Sequence, residues 1–180
     1  MGNNLVALNN NVPEGFLTNM RQDIILGNSV DGFARNYDGS VNCYSAALGI
    51  ARKHDIGFVS NVELRNVWYT PGIMSGYMVN RSSFPNDLKQ ATFSDMDAVK
   101  VMIKQAEYDS LLEQDERLIA MFYRYCPHTG AADYHFMWRG AKDSTWLHRP
   151  GPGFDVERVD NLCRGEIYTE ELGCYKMLIK

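Results

Sequence analysis

Residues 131–150 read ADYHFMWRGAKDSTWLHRPG. Two runs rich in aromatic and apolar residues, DYHFMWRG and STWLHR, flank a polar patch, GAKDS, with the composition of a turn. The pattern predicts two neighbouring antiparallel strands, with His135 near the start of the first and His148 near the end of the second. A turn at about 140–144 would bring positions 135 and 148 close to cross-strand register.

Outward from this ribbon the strand signals continue. RLIAMFYRY (117–125) precedes it, and GEIYTE (165–170) and GCYKMLIK (173–180) follow. Turn chemistry separates them: PHTGAA, RPGPG, LCRG and ELG. Upstream the pattern is helical. A short helix is expected in EGFLTNMRQDII (14–25), inside an otherwise mostly irregular segment 1–41. Asn42 is a good N-cap for NCYSAALGIARKH, where Cys43, Ala46, Ala47 and Ile50 recur at helical spacing. A short helix at Ser60 is expected in SNVELRNVWYTPG, followed by loop through PGIMSGYMVNRSSFPND. Ser94, with Asp97 three residues on, predicts a cap for an amphipathic helix over 95–114. Helices first and strands after give an α+β class, one domain over residues 1–180, with N-terminal helices packed on a C-terminal antiparallel sheet.

The bulk properties narrow the function. The chain has 180 residues, a formal net charge of −4 and 45% hydrophobic residues. An acidic balance with no basic stripe argues against a nucleic-acid partner. No apolar run is long enough to span a bilayer. MGNNLVALNNNVPEG lacks the basic and apolar regions of a secretory signal, and Val6 stands where a myristoylation motif needs Ser or Thr. Synthesis in a cytoplasm is the expectation, with any action outside depending on a dedicated secretion apparatus or on lysis. The four cysteines show no C-x-x-C spacing; free thiols are expected, and neither a zinc ribbon nor another cofactor is.

One constellation carries chemistry. A nucleophilic thiol needs a lowered pKa, a base within hydrogen-bond reach and a group that orients the base. Cys43 in the first turn of a helix would gain from the backbone dipole. His135 could take its proton, and a neutral His148 could accept a hydrogen bond from one nitrogen of His135, fixing which nitrogen meets the sulfur. Asp143, Asp155 and Asp160 compete with His148 for the third position, and His128, in a turn after Cys126, competes as base. Cys126, His128 and Cys163 have unusual spacing for a metal set. Cys43 could equally be a small buried apolar residue and His135 a satisfied sheet histidine.

The pieces NCYSAAL, HFMWRG and WLHRPG, in that order, resemble papain-like cysteine hydrolases, most closely the NlpC-like branch of cell-wall peptidases. There the nucleophile stands in a D-C-S-G-F-like helix start, the base opens an H-V-G-I-Y-like strand, and a second His follows about a dozen residues later. The resemblance covers three short motifs; Asn42 stands for the usual Asp, Tyr44 separates Cys43 from Ser45, and the glycine after that Ser is absent. It implies a papain-like fold, Cys43 as nucleophile, His135 as base, His148 as orienting residue, and a peptide or peptidoglycan substrate cleaved through a thioester. An oxyanion donor is expected a few residues before the nucleophile, from Asn36, Tyr37 or Asn42, with Tyr37 preferred because the loop NYDGSVN could fold its hydroxyl over the helix start. A phage lysis enzyme or an injected bacterial toxin or effector fits these features, and a toxin would come with an inhibitory or immunity protein. A protease or deamidase acting on host proteins, an acyl transferase, and a non-catalytic binding module that keeps the fold are the alternatives.

Overall fold

The apolar run of residues 118–122 sits at the centre of the molecule because it is buried on both faces. In the computed structural model, which describes residues 12–54, 69–80, 83–126, 128–160, 162 and 170–179, this run belongs to β2 (Glu116–Cys126) of a six-stranded sheet. The other strands are β1 (Met102–Gln105), β3 (Ala131–Gly140), β4 (Trp146–His148), β5 (Glu157–Val159) and β6 (Glu170–Leu178). Their order is β1-β6-β2-β3-β4-β5, every pair antiparallel. The helices are α1 (Glu14–Ser29), α2 (Cys43–Leu48) and α3 (Phe84–Ala98). The α+β class with an antiparallel sheet is therefore what the chain forms. No described helix is long and apolar enough to cross a membrane.

Side chains alternate across the sheet and build two cores. Ile119, Met121, Phe136, Trp138, Leu147, Tyr175 and Met177 point to one face and pack with α1, α2 and α3 residues such as Met20, Ala46 and Leu88. Leu118, Ala120, Phe122, Met137, Trp146 and Cys174 point to the other, where Ala106, Tyr108 and Leu112 cover them. The stretch 106–112 is thus a cover for the second face.

This corrects the helix expected over 95–114. The helix lies earlier, over Phe84–Ala98, with Ser94 in its interior and Pro85 in its first turn, where a missing N–H costs nothing. It stops at Val99 and Lys100, the latter at φ 58°, where Val101 N–H returns to the Met96 carbonyl. Val101 and Ile103 are β-branched, and Met102–Gln105 pairs with β6 instead of continuing the helix. The helix expected over 14–25 also runs longer, to Ser29, with Phe16, Met20 and Ile24 buried at i, i+4, i+8 spacing. The helix expected at Ser60 and most of GEIYTE lie outside the described residues.

α1 and α2 touch through glycine. A Cβ on Gly27 would stand 2.5 Å from the Gly49 carbonyl oxygen, and Gly49 itself caps α2 at φ 92°. Gly27→Ala is expected to cost about 1–3 kcal/mol, since backbone must move to admit the methyl group. Urea unfolding of the variant against wild type measures it.

Candidate functional site

α2 is six residues long, too short to stand on propensity. Polar groups from elsewhere fix it. Asn42 Oδ1 accepts from the Ser45 N–H at 3.1 Å and from its hydroxyl at 3.2 Å. The Tyr44 hydroxyl donates to Asp95 Oδ2 at 2.7 Å. At the other end, Arg117 Nη1 donates to the Ala47 carbonyl at 2.9 Å and Nη2 to that of Gly27 at 2.7 Å. Cys43 is the first residue of this helix, and it is 7% exposed.

The two histidines meet as the spacing predicts. His148 pairs with Met137, so His135 is its diagonal neighbour on the same sheet face. His135 Nε2 lies 3.0 Å from His148 Nδ1, with the rings edge to face. A further group continues the chain: His148 Nε2 lies 3.2 Å from Glu157 Oε2, on the strand beyond.

The carboxylate gives this chain a direction. An ionised Glu157 only accepts, so His148 Nε2 carries the proton and Nδ1 is left as acceptor. His135 Nε2–H then donates to it, which leaves the His135 lone pair on Nδ1. That nitrogen is the one adjacent to the ring carbon bearing Cβ, and so nearer the strand's own main chain.

Cys43 approaches the same point from the other side. It belongs to the core beneath the helices, with Phe136, while the His135 ring leaves β3 on the face of Phe122 and Met137. In the β3–β4 register the partner of Phe136 would be Arg149, but β4 ends at His148. The Phe136 N–H is directed instead at the Cys43 thiol, joined by the N–H groups of Tyr44 and Cys43 itself. The sulfur therefore rests against the peptide that links His135 to Phe136. The donors around it are main-chain amides rather than the imidazole.

Electrostatics differ from the sequence-based expectation. Burial pushes the Cys43 thiol up to about 12, outweighing the amides that pull it down. Burial first, and His148 second, lower the His135 imidazole to about 4. Near neutral pH both groups are uncharged at rest. A helix of six residues does not offset the loss of water around the sulfur.

The remaining expected residues fall elsewhere. Tyr37 is not placed as an oxyanion donor: its hydroxyl donates to the Ala46 carbonyl at 3.3 Å, toward the far end of α2, and its ring stacks edge-on against Trp138. Asn36 is exposed, whereas Asn42 Nδ2 donates toward the Tyr134 hydroxyl at 3.4 Å, one residue from both Cys43 and His135. Of the acidic competitors, Asp143 accepts from the Gly140 N–H at 2.8 Å and sits beside Asp31, Asp155 lies near Arg149, and Asp160 is exposed in a bend. His128 lies in the tip between β2 and β3, and Cys163 is outside the described residues. Sequence reasoning missed Glu157. No local signal marks it; it is known from the strand register, where Glu157 is the direct cross-strand partner of His148.

The lowered His135 pKa links stability to pH. Between about 4 and the ordinary imidazole value of 6.5 the unfolded chain binds a proton there that the folded chain does not, so this contribution is complete above 6.5 and is lost as pH falls toward 4. Asp95 and Asp143, both raised to about 6, titrate with the opposite sign in that window. The stability difference between wild type and His135→Gln isolates the histidine. It is expected to shrink by about 3 kcal/mol from pH 6.5 to pH 4, read from urea melts at each pH.

A scan against protein-family models and searches of curated proteins and of solved structures found no match to this chain.

Proposed function

We propose that the protein is a cysteine hydrolase that cleaves an amide bond through a thioester on Cys43, with His135 as base and His148 as the residue that orients it. The observation that carries this reading is the directed relay Glu157–His148–His135, which ends one peptide away from the Cys43 thiol, across the sheet from it.

In the proposed reaction the layers part so that the His135 imidazole, on the other sheet face at rest, reaches the sulfur, and the Cys43 proton moves to His135 Nδ1 as the sulfur attacks the substrate carbonyl carbon. The oxyanion takes the Cys43 N–H, with Asn42 Nδ2 replacing Tyr37 as second donor. His135 then protonates the leaving amine, and afterwards accepts a proton from the water that cleaves the thioester. Because thiol and imidazole are both neutral at rest, proton transfer accompanies attack rather than preceding it. Substrate binding must also open the contact between sulfur and amides enough to admit the carbonyl. The likeness of NCYSAAL, HFMWRG and WLHRPG to NlpC-like enzymes favours peptides of peptidoglycan as substrate, and side-chain or backbone amides of host proteins come second.

A different reading has its own support. The enclosed thiol, held near 12, suits a non-catalytic module that keeps a buried cysteine for packing. Purified sacculi separate the two. Wild type is expected to release stem peptides detectable by mass spectrometry. Cys43→Ala and His135→Ala should lower the rate about 10³-fold or more, and His148→Ala about 10²-fold. Release that persists in Cys43→Ala removes the thiol from the chemistry. No cleavage of sacculi or protein substrates by wild type leaves the binding module.

A further inference from the structure

Two carboxyl groups meet where the loop after α1 passes over the β3–β4 turn. Asp31 and Asp143 are hydrogen-bonded side chain to side chain. Asp143 Oδ2 accepts from the Gly140 N–H at 2.8 Å, and Asp31 Oδ1 accepts from the Phe33 N–H at 2.9 Å. Asp143 Oδ1 is closed to solvent, and no N–H or O–H group of the described residues answers it. Two ionised carboxylates have no hydrogen to place between them, so the contact holds only while one of the pair is protonated. The loop lies directly on the sheet because residue 32 is glycine. A Cβ there would stand 2.7 Å from Trp138 Nε1 and 3.2 Å from both Asp143 Oδ2 and Leu147 Cδ1.

The charged neighbours decide where the proton resides. Arg117, on β2, favours the Asp143 anion, but its Nη groups are engaged by the carbonyls of Ala46, Ala47 and Gly27. Arg158, on β5, favours the Asp31 anion. Tyr37, in the same loop as Asp31, is a neutral phenol whose ionisation Asp143 opposes. Lys142, in the turn itself, donates to the Ser29 carbonyl at 2.6 Å and makes a second tie between the two segments. Burial first, and Asp31 second, raise Asp143 to about 6, while the hydrogen bond from Asp143 is the main cause holding Asp31 below the usual carboxylate range. The proton therefore sits on Asp143, and Asp31 accepts from it.

We propose that Asp31 and Asp143 form an acid-held latch: one shared proton closes the loop after α1 onto the β3–β4 turn, and loss of that proton releases the loop. Without it, two like charges face each other at a closed contact. Asp143 is fixed by Gly140, whereas Asp31 is half-buried on a loop, so the relief is for Asp31 to swing to water and lift Gly32 off Trp138. The folded value of Asp143 lies above its unfolded value of 3.8. Its contribution to stability is therefore complete below 3.8, falls as pH rises and is gone above about 6. The latch uses neither Cys43 nor the histidine relay, and a Cys43→Ala chain should retain it.

Carboxyl-carbon NMR of the whole chain from pH 4 to pH 8, with amide hydrogen exchange at pH 5 and pH 7.5, tests this in wild type, Asp143→Asn and Asp31→Asn. Asparagine at 143 keeps the acceptor for Gly140 and offers Asp31 an N–H that no pH change removes. In wild type the Asp143 carboxyl is expected to titrate near 6, and in Asp31→Asn at least about one unit lower. Protection factors of the Phe33 and Gly140 amides should fall about tenfold between pH 5 and pH 7.5 in wild type and stay within about twofold in Asp143→Asn. An Asp143 that titrates in the ordinary carboxylate range removes the shared proton and overturns the proposal. Protection in wild type that is equal on the two sides of the titration overturns the release, as does an equal loss of protection in Asp143→Asn.

Discussion

Arg117 holds the helical layer to the sheet. Its guanidinium is buried at the centre of the molecule and donates to carbonyls of Ala46, Ala47 and Gly27, at the ends of two different helices. Helix ends carry unpaired carbonyls and the negative pole of the backbone dipole, so one planar cation answers several acceptors at once. Burying that charge is expensive, and removing the cation would strand the carbonyls in a closed interior. The contact also explains the glycines: Gly27 and Gly49 bring the two helix ends close enough to share one side chain. α2 is then held from the opposite end by Tyr44 on Asp95. That same carboxylate accepts from the N–H groups of Gly72, Met74 and Ser75 and from the Ser75 hydroxyl. The position of Cys43 is therefore set by β2, α3 and the 72–75 turn together, and little by α2 itself.

The sheet supplies the other half of the site through where β4 stops. Because that strand ends at His148, the edge of β3 is open at residue 136 and its amide is free to meet a group from the helical layer. The same ending places His148 beside His135 and, through β5, beside Glu157. A longer β4 would seal the edge and separate the two layers completely. Glu157 is largely exposed, so its charge is screened by water. Its effect on the relay is chiefly directional: it fixes which nitrogens carry protons.

How much of this the sequence revealed follows from how local each feature is. The ribbon 131–150 was legible because two alternating runs around a polar turn admit one register within a residue or two, and the histidine pair follows from that register. Asn42 as the cap of α2 was legible from chemistry alone. The helix misplaced over 95–114 shows the limit. Its apolar spacing is real, but those residues serve two masters: Met96 faces the helical core, while Ala106 and Leu112 cover the far side of the sheet. Pro85 was the better signal for the helix start, and the β-branched Val101 and Ile103 the better signal for its end. Tyr37 could not be placed from sequence, because its hydroxyl answers a carbonyl that is exposed only by the way α2 terminates. Glu157 was hidden because nothing local announces a cross-strand partner on a three-residue strand.

The pKa directions of sulfur and imidazole bear on what the fold contributes if the site is catalytic. Many thiol enzymes store a thiolate, using nearby positive charge to hold it at neutral pH. Here burial works against that, raising the thiol to about 12 and lowering the imidazole to about 4. Adding substrate removes more water and widens the gap before any bond forms. The ion pair would have to be made during attack, when the growing bond to carbon withdraws electrons from sulfur and makes its proton easier to release. What assists such a step is geometry: a histidine pair whose protons are directed by Glu157, and amides around the sulfur placed near where an oxyanion develops. The relay from Glu157 and the open edge at Phe136 supply direction and donors without storing charge, and a catalytic site of that kind would stay quiet toward small electrophiles and act only on a substrate large enough to part the layers.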